Sequence, residues 1–158
     1  FRINAEDPAR GFFPQPGHIT RFDVPGGPFV RVDAGVTAGD DVSPNFDSLI
    51  AKVIVWGADR HEAIGRGIQA MKETQIEGIP TLVPFHRRVL TDPAFAATMP
   101  EHFGVHTTWI ETECTWLEDL AQAIPSSGMH EEIIRQWFEV DGKWHRLGFP
   151  ASLSHMRF

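Results

Sequence analysis

The sequence predicts an α+β fold, and three features support this. The first 56 residues contain short alternating or apolar runs separated by proline- and glycine-rich turns, which is typical of strands. Two segments with apolar residues at helical spacing follow, between residues 59 and 90. An Asp-Gly pair between two short alternating runs near residue 141 predicts a C-terminal β-hairpin extension. Strands followed by helices indicate the α+β class.

The strands are predicted first along the chain. Phe1–Glu6 alternates apolar and polar residues, which suits a half-buried strand. His18–Val24 and Phe29–Val32 are expected to form two further strands between turns. Asp47–Trp56 is the strongest candidate, and because it is apolar on both faces it is expected to be buried on both sides of a sheet.

The longer helix is predicted from its ends. Asp59, with Glu62 three residues later, resembles a capping box and opens a helix that ends before Gly78. Gly65 and Gly67 lie inside it, and each would weaken it by about 1 kcal/mol relative to Ala. They indicate either the close approach of another element or a weak helix.

A shorter helix is predicted over Thr81–Leu90, with Pro84 tolerated in its first turn. The following segment, Thr91–His106, is expected to be irregular, with one turn near Phe95. Thr107–Thr112 is expected to be extended.

The character of the sequence changes after residue 114. A short helix is predicted over Leu117–Ile124, a linker over residues 125–128 and the hairpin over about residues 133–149. We therefore predict two domains, residues 1–114 and residues 115–158, with the hairpin beginning a different domain. The alternative is that the hairpin packs back on the main body.

Composition and charge exclude several classes of function. With 21 acidic and 14 basic residues the net charge is −7, which gives no electrostatic footprint for nucleic acid or an anionic membrane. The cluster His86-Arg87-Arg88 is interpreted as a solvated helix face. No apolar run is long enough to span a bilayer, and no signal peptide is visible. The single cysteine, Cys114, excludes an internal disulfide and predicts a reducing, cytoplasmic compartment. The spacing of His and Cys predicts no metal site.

Six motifs in a fixed order resemble one protein family. They are FRINAEDP, PQPGHITRF, GPFVRVDAGV, NFDSLIAKVIVWG, DRHEAI and IPTLVPFHRRVL. The series resembles the C-terminal domain of biotin carboxylases over about Phe1 to Glu113. The later HTTWIETE resembles the version in bacterial, actinobacterial-type acetyl- or propionyl-CoA carboxylase alpha subunits, and the WFEVDGKWHRLGFPASL tail is similar to the segment that follows the domain there. A start at Phe1, without Met and inside a predicted strand, predicts a fragment.

The resemblance implies a largely antiparallel sheet packed against helices, within a larger enzyme. Biotin carboxylases use ATP and bicarbonate to carboxylate a ureido nitrogen of biotin. The resemblance places the biotin on a carrier domain, and ATP and Mg²⁺ in an ATP-grasp domain. No glycine-rich phosphate loop or MKM-like biotinylation motif is recognisable here, so we expect no cofactor on this chain and no turnover by it alone. The expected partners are the rest of the subunit, the carrier domain, a carboxyltransferase beta subunit and a second copy in a homodimer.

The resemblance also implies roles for three residues. Arg2 would face bicarbonate and the biotin ureido oxygen, where a guanidinium stabilises negative charge; its alternative is a surface ion pair. Asp47 would orient Arg2 by a charge-assisted hydrogen bond, or cap local backbone. Arg31 would lie at a dimer interface, or be a solvated strand residue. Phe46 stands where many relatives carry Tyr, and Pro28 where some carry an aromatic residue.

Three further charged residues lie in predicted strands or directly beside one. Glu6 and Asp7 are neighbours that point to opposite faces of a strand, so they predict no acid–base dyad. Lys52 is expected to be buried in its strand and to form a structural bridge with a carboxylate, with Glu6 as the expected partner.

Three functions remain open at this point. The first is an enzyme fragment that contributes Arg2 to biotin carboxylation. The second is an assembly module for a carboxyltransferase, motivated by an apolar patch of Trp137, Trp144 and Phe149. The third is the same domain in another biotin-dependent enzyme, such as a pyruvate or urea carboxylase.

Overall fold

A computed structural model of the chain describes residues 1–123, 137–140 and 143–146, with side chains described through residue 120. The chain divides into two compact units, Phe1–Ile124 and Pro125–Phe158. In the described part, no helix combines the length and the apolar character that crossing a membrane requires.

In the first unit, short strands come first along the chain and the α-helices follow, with one strand between the first two helices. Its strands in the described residues are β1 (Arg2–Asn4), β2 (Glu6–Asp7), β3 (Phe13–Pro14), β4 (Gly17–His18), β5 (Arg21–Asp23), β6 (Val30–Ala34), β7 (Asp41–Val42), β8 (Leu49–Val55) and β9 (Gln75–Glu77). Its helices there are α1 (Arg60–Glu73), α2 (Val83–Thr91), α3 (Pro93–Ala96), α4 (Trp109–Thr112) and α5 (Leu117–Ala123), with 3₁₀ turns at Pro8–Arg10 and Pro100–His102.

A three-stranded antiparallel sheet in the order β1-β8-β6 forms the centre of this unit. The remaining strands form two-stranded pairs, β2 with β3, β4 with β7 and β5 with β9. The strand predicted over His18–Val24 is therefore split, because β4 and β5 pair with different partners. The strand predicted over Phe1–Glu6 is interrupted by a register shift between Ile3 and Asn4.

The main core lies between the sheet and the helices α1 and α2. Ile3 and Val53 come from the sheet, Met71 and Leu90 come from the helices, and all four are almost completely buried. Burying side chains of this size contributes about 1.5–3 kcal/mol each. The α+β class, with a largely antiparallel sheet packed against helices, is confirmed.

Strand β8 is not buried on both faces, so that prediction is wrong. Ala51 and Val53 face the core, whereas Lys52 is exposed and Ile54 is 36% exposed on the opposite face. The reason is that successive side chains of a strand point to opposite faces, and α1 packs against only one of them. The expected bridge to Glu6 is also wrong: in the described side chains Glu6 accepts hydrogen bonds from Asn4 and Ser48 instead.

Helix α1 begins as predicted. The Glu62 N–H donates to the Asp59 carboxylate at 2.8 Å, and the Glu62 carboxylate accepts the Ala58 N–H at 2.6 Å. This is a capping box in which the return bond reaches one residue further back than the usual one.

The two glycines of α1 have different surroundings. A Cβ atom on Gly67 would lie 2.9 Å from Phe1 Cζ and 3.3 Å from a Leu90 methyl carbon. Close approach therefore explains Gly67. A Cβ atom on Gly65 would meet nothing within 4 Å, so this glycine only weakens the helix.

A second, smaller core contains Phe85, Trp109, Cys114 and Trp116, all buried. Thr107–Thr112 was expected to be extended, and this prediction is wrong. The segment contains the helical turn α4, which places the Trp109 ring inside this core. The predicted helix after residue 117 is present as α5, and it packs against the 3₁₀ turn near the start of the chain.

The second unit contains two described strands, β10 (Trp137–Val140) and β11 (Lys143–Arg146), which pair antiparallel with Val140 opposite Lys143. The hairpin is therefore present within the predicted range of 133–149, and the other residues of that range lie outside the described ones. Its predicted Asp141-Gly142 turn and the predicted linker over residues 125–128 lie outside the described residues.

Candidate functional site

The predicted site residues Arg2 and Arg31 lie on the same exposed face of the central sheet. Arg2 of β1 is paired with Lys52 of β8, which is in turn paired with Asp33 of β6. Directly paired residues share a face, and Arg31 lies two positions from Asp33 on that face. The two arginines therefore lie on the two outer strands of the sheet. Because β8 lies between them, these strands are about 10 Å apart.

The Arg2 guanidinium is open to solvent. Its side chain is 59% exposed, and Nη2 lies 3.6 Å from Asp47 Oδ1. At this distance the contact is an ion pair, longer than a hydrogen bond. The same Asp47 oxygen accepts the Leu49 N–H at 2.8 Å, which is the local cap expected as the alternative, whereas the hydrogen bond expected with Arg2 is replaced by this longer ion pair.

His86 is a neighbour of Arg2 that sequence reasoning missed. Its Nε2 lies 2.8 Å from the Arg2 carbonyl oxygen, and its ring packs edge-on against Phe1 and Phe85 at 5.5 and 5.6 Å. Burial lowers the pKa of His86, an effect larger than the opposing one of its bond to the Arg2 carbonyl. No feature of the sequence indicated this contact, because it depends on where α2 meets β1.

The interpretation of His86-Arg87-Arg88 as a solvated helix face is wrong. Successive residues of a helix point about 100° apart, so the three cannot share one face. Arg87 donates to the carbonyl oxygens of Met71 and Thr74 at the end of α1, at 2.8 and 3.1 Å. The Arg88 guanidinium is exposed and lies 5.7 Å from the Trp116 ring centroid.

Glu6 and Asp7 have different surroundings. Glu6 is half-buried and accepts the Asn4 side-chain N–H at 2.8 Å. Asp7 is buried, caps the first 3₁₀ turn by accepting the Ala9 N–H at 2.9 Å, and lies 4.0 Å from Arg10. The two carboxylates therefore serve separate structural contacts.

Arg31 lies beside an exposed aromatic pair at the start of β6. Its side chain is 72% exposed, and Nη2 donates to Asp33 at 3.1 Å. Just outside the paired ends of β6 and β8, the rings of Phe29 and Trp56 lie 5.0 Å apart, and both are more than half exposed. The Arg66 guanidinium lies 4.6 Å from the Phe29 ring centroid, within the range of a cation–π contact.

A groove of about 310 Å³ is lined by Arg60, Ala97, Thr98, Met99, Pro100 and Phe103. The Arg60 guanidinium donates to the Ala97 carbonyl at 2.9 Å and also to the Phe95 carbonyl. It also lies 4.9 Å from the ring centroids of Phe95 and Phe103. The Arg60 guanidinium, the charged group of the groove, is therefore already bound by carbonyl groups and aromatic rings of the protein itself. Elsewhere in the described residues, no three His, Cys, Asp or Glu side chains are grouped to hold a metal ion.

Comparison with known proteins identifies the family. The family described as the biotin carboxylase C-terminal domain matches residues 1–112. The chain is 43% identical over 158 residues to the biotin-dependent acyl-coenzyme A carboxylase alpha3 subunit of Mycobacterium leprae (strain TN), covering 98% of this chain and 26% of that protein. It is 49% identical over 94 residues to a biotin carboxylase of Nostoc sp. (strain PCC 7120), covering 60% of this chain and 21% of that protein. The chain thus spans about a quarter of the length of these relatives.

A solved structure agrees with this match. It is the biotin carboxylase domain dimer of the 2-oxoglutarate carboxylase of Hydrogenobacter thermophilus, in complex with MgADP, ADP and bicarbonate. The TM-score is 0.67 at 37% identity, over 75% of this chain and 25% of that one. Sequence motifs, family match and fold agree, and the chain therefore belongs to the biotin carboxylase C-terminal domain family.

Proposed function

We propose that this chain is part of the biotin carboxylase component of an acyl-CoA carboxylase, where it forms one wall of the site at which biotin is carboxylated. The observation that carries the proposal is the exposed Arg2 guanidinium on the RINAEDP strand. The acyl-CoA assignment is supported by the match to the M. leprae alpha3 subunit, which extends over 98% of the chain, whereas the Nostoc match covers 60%.

The chemistry of Arg2 suits the proposed ligands. A guanidinium is permanently charged and presents a rigid fork of N–H donors, which suits bicarbonate and the ureido oxygen of biotin. When bound, biotin would supply the ureido nitrogen that is carboxylated. Arg2 would hold the anion and stabilise negative charge on the ureido oxygen; losing such a donor typically lowers the rate by ~10²–10³.

The proposal places ATP and Mg²⁺ on other parts of the full-length protein. In the described residues, no group of acidic side chains is arranged for a cation. The matched domain of H. thermophilus was solved with MgADP and bicarbonate, and this chain covers 25% of it. Biotin would likewise be attached to a separate carrier domain.

The proposed partners are the rest of the carboxylase subunit, the biotin carrier domain and a carboxyltransferase beta subunit. A homodimer through the Arg31 face is part of the proposal, supported by the exposed Phe29–Trp56 pair and by the dimer seen for the H. thermophilus domain. The alternative role as an assembly module depends on Trp137, Trp144 and Phe149, whose side chains lie outside the described ones. A reducing, cytoplasmic compartment also remains a proposal, based on the single cysteine.

The test is ATP-dependent carboxylation of free biotin by the full-length subunit, followed with labelled bicarbonate. We expect Arg2→Ala to lower the rate ~10²–10³-fold. Arg21→Ala is the matched control, because Arg21 is an exposed strand arginine that pairs with Asp23 and Glu77 at 2.7 and 3.0 Å, and it should leave the rate unchanged. A near-wild-type rate for Arg2→Ala would refute the role of Arg2.

A further inference from the structure

Strand β1 is an outer strand of the central sheet, yet its backbone is hydrogen-bonded on both sides. On the β8 side, the Phe1 nitrogen donates to the Val53 carbonyl at 2.7 Å, and the Val53 N–H donates to the Phe1 carbonyl at 2.9 Å. Since successive backbone groups of a strand point alternately to its two edges, the Arg2 carbonyl points away from β8. There it meets His86 Nε2 at 2.8 Å.

The next carbonyl on that outer edge is also paired. The Leu82 N–H, at the start of α2, donates to the Asn4 carbonyl at 3.2 Å. Ile3, between the two bonded residues, is fully buried. Helix α2 and the residue before it therefore take the place of a neighbouring strand along β1, with one donor from backbone and one from the His86 side chain.

The orientation of the His86 ring is fixed by its neighbours. It is half-buried between the Phe1 and Phe85 rings. A carbonyl oxygen only accepts hydrogen bonds, so a short contact with it requires a proton on Nε2. Burial lowers the pKa of His86, which favours the neutral ring, and the neutral ring must then be the Nε2–H tautomer.

We propose that His86 is a positioning residue for Arg2: its Nε2–H holds the Arg2 carbonyl and fixes the backbone from which the guanidinium reaches the reacting groups. This inference rests on the function proposed above for Arg2. The guanidinium itself is held in the described residues by the 3.6 Å contact with Asp47, where both side chains are largely exposed. The hydrogen bond from His86 to the Arg2 carbonyl therefore restricts the positions that the guanidinium can reach. A displacement of about 1 Å in an active site can lower a rate ~10²-fold.

The test uses the full-length subunit with His86→Ala, His86→Gln and the control His61→Ala, an exposed histidine of α1. We expect His86→Ala to lower kcat for biotin carboxylation ~10-fold with the KM for ATP unchanged. His86→Gln retains a side-chain N–H and should restore most of the rate. His61→Ala should match the wild type. In an Arg2→Ala background, His86→Ala should produce little further loss, because both changes act through one group.

The outcomes separate this inference from the proposed function. A wild-type rate for His86→Ala, together with a large loss for Arg2→Ala, would overturn the positioning role alone. A wild-type rate for Arg2→Ala would overturn the proposed function. Failure of Gln to restore the rate would exclude a donor role for His86. If His86→Ala does not fold, ¹⁵N NMR of the wild-type imidazole decides: a neutral ring with its proton on Nε2 supports the bond, and a proton on Nδ1 overturns it.

Discussion

Asp47 Oδ1 lies 3.6 Å from Arg2 Nη2, and the same oxygen accepts the Leu49 N–H at 2.8 Å. The carboxylate thus joins the start of β8 to the strand that carries Arg2. One of these contacts needs the negative charge, and the other needs only an acceptor oxygen. Substitutions at this position therefore separate the two roles.

Asp47→Asn keeps an acceptor oxygen and removes the charge, whereas Asp47→Ala removes both. Because exposed ion pairs contribute about 0–1 kcal/mol, we expect Asn to change the free energy of unfolding by less than ~0.5 kcal/mol. Ala should lower it by about 1 kcal/mol through loss of the hydrogen bond to Leu49. Urea unfolding of the chain measures both. Equal losses for Asn and Ala would show that the ion pair, and not the backbone bond, is the stabilising contact.

Helix α1 was predictable because its determinants are local. Asp59, Glu62 and the apolar stripe lie within one segment, and the capping contacts form between residues at most four positions apart. The pairing of β5 with β9 was not predictable in this way. It joins Arg21 to Glu77, 56 positions away, through strands too short to show a period.

The site was predictable only in part, for the same reason. Motif resemblance selected Arg2, whose side chain is exposed, and its role in the site stays a prediction. Lys52 was assigned to the core because its neighbours are apolar, but a strand exposes alternate side chains when one face lacks a cover. The contact of His86 with Arg2 joins residues 84 positions apart and appears only once α2 is placed on the outer edge of β1.

Two glycines with positive φ should respond differently to substitution by Ala. Gly39 (φ +94°) has open space around a Cβ position, whereas a Cβ atom on Gly78 (φ +98°) would lie 2.2 Å from the His18 carbonyl oxygen. Gly39→Ala should lower the free energy of unfolding by about 1–2 kcal/mol, the usual penalty of a left-handed conformation. Gly78→Ala should lower it by more than ~3 kcal/mol, because the backbone of β4 must also move. Similar urea midpoints for the two variants would contradict this.

The pKa of His86 predicts a pH dependence of stability. Burial lowers it below the ordinary value of 6.5, so the unfolded chain binds this proton at a higher pH than the folded one does. The contribution of His86 to the free energy of unfolding is therefore complete above pH 6.5. It declines as the pH falls from there towards the pKa of His86 in the folded chain. Urea unfolding of wild type and His86→Gln across this window should give a steeper pH slope for the wild type. Identical slopes would show that His86 titrates normally.

Cys114 should react slowly in the folded chain. The residue is 5% exposed, and burial, together with the nearby carboxylates of Asp92 and Glu113, raises the pKa of its thiol. Since the thiolate is the reactive form, alkylation by iodoacetamide at pH 8 should be more than ~10-fold slower in buffer than in urea. Mass spectrometry of timed samples measures both rates. Equal rates would mean that the second core opens readily.

The limit of the first domain was predicted at residue 114, and this stays a prediction that truncation tests. Trp116 lies just beyond that limit, yet it is buried, and its indole N–H donates to Asp92 at 3.0 Å. Its ring also packs against Phe85 and Trp109 at 5.8 and 6.4 Å. A chain shortened after Ile124 keeps these contacts, whereas one shortened after Cys114 loses them.

We expect the chain ending at Cys114 to be less stable than the one ending at Ile124 by about 3–5 kcal/mol, the usual effect of removing a buried aromatic side chain. Within the longer chain, Trp116→Phe tests the hydrogen bond to Asp92 separately. It keeps most of the ring packing and should lower the free energy of unfolding by about 0.5–1.5 kcal/mol, the net contribution of an ordinary hydrogen bond, because Asp92 is only half-buried. Equal urea midpoints for the two truncated chains would place the end of the domain at residue 114, and would mean that the contacts of Trp116 add nothing to its stability.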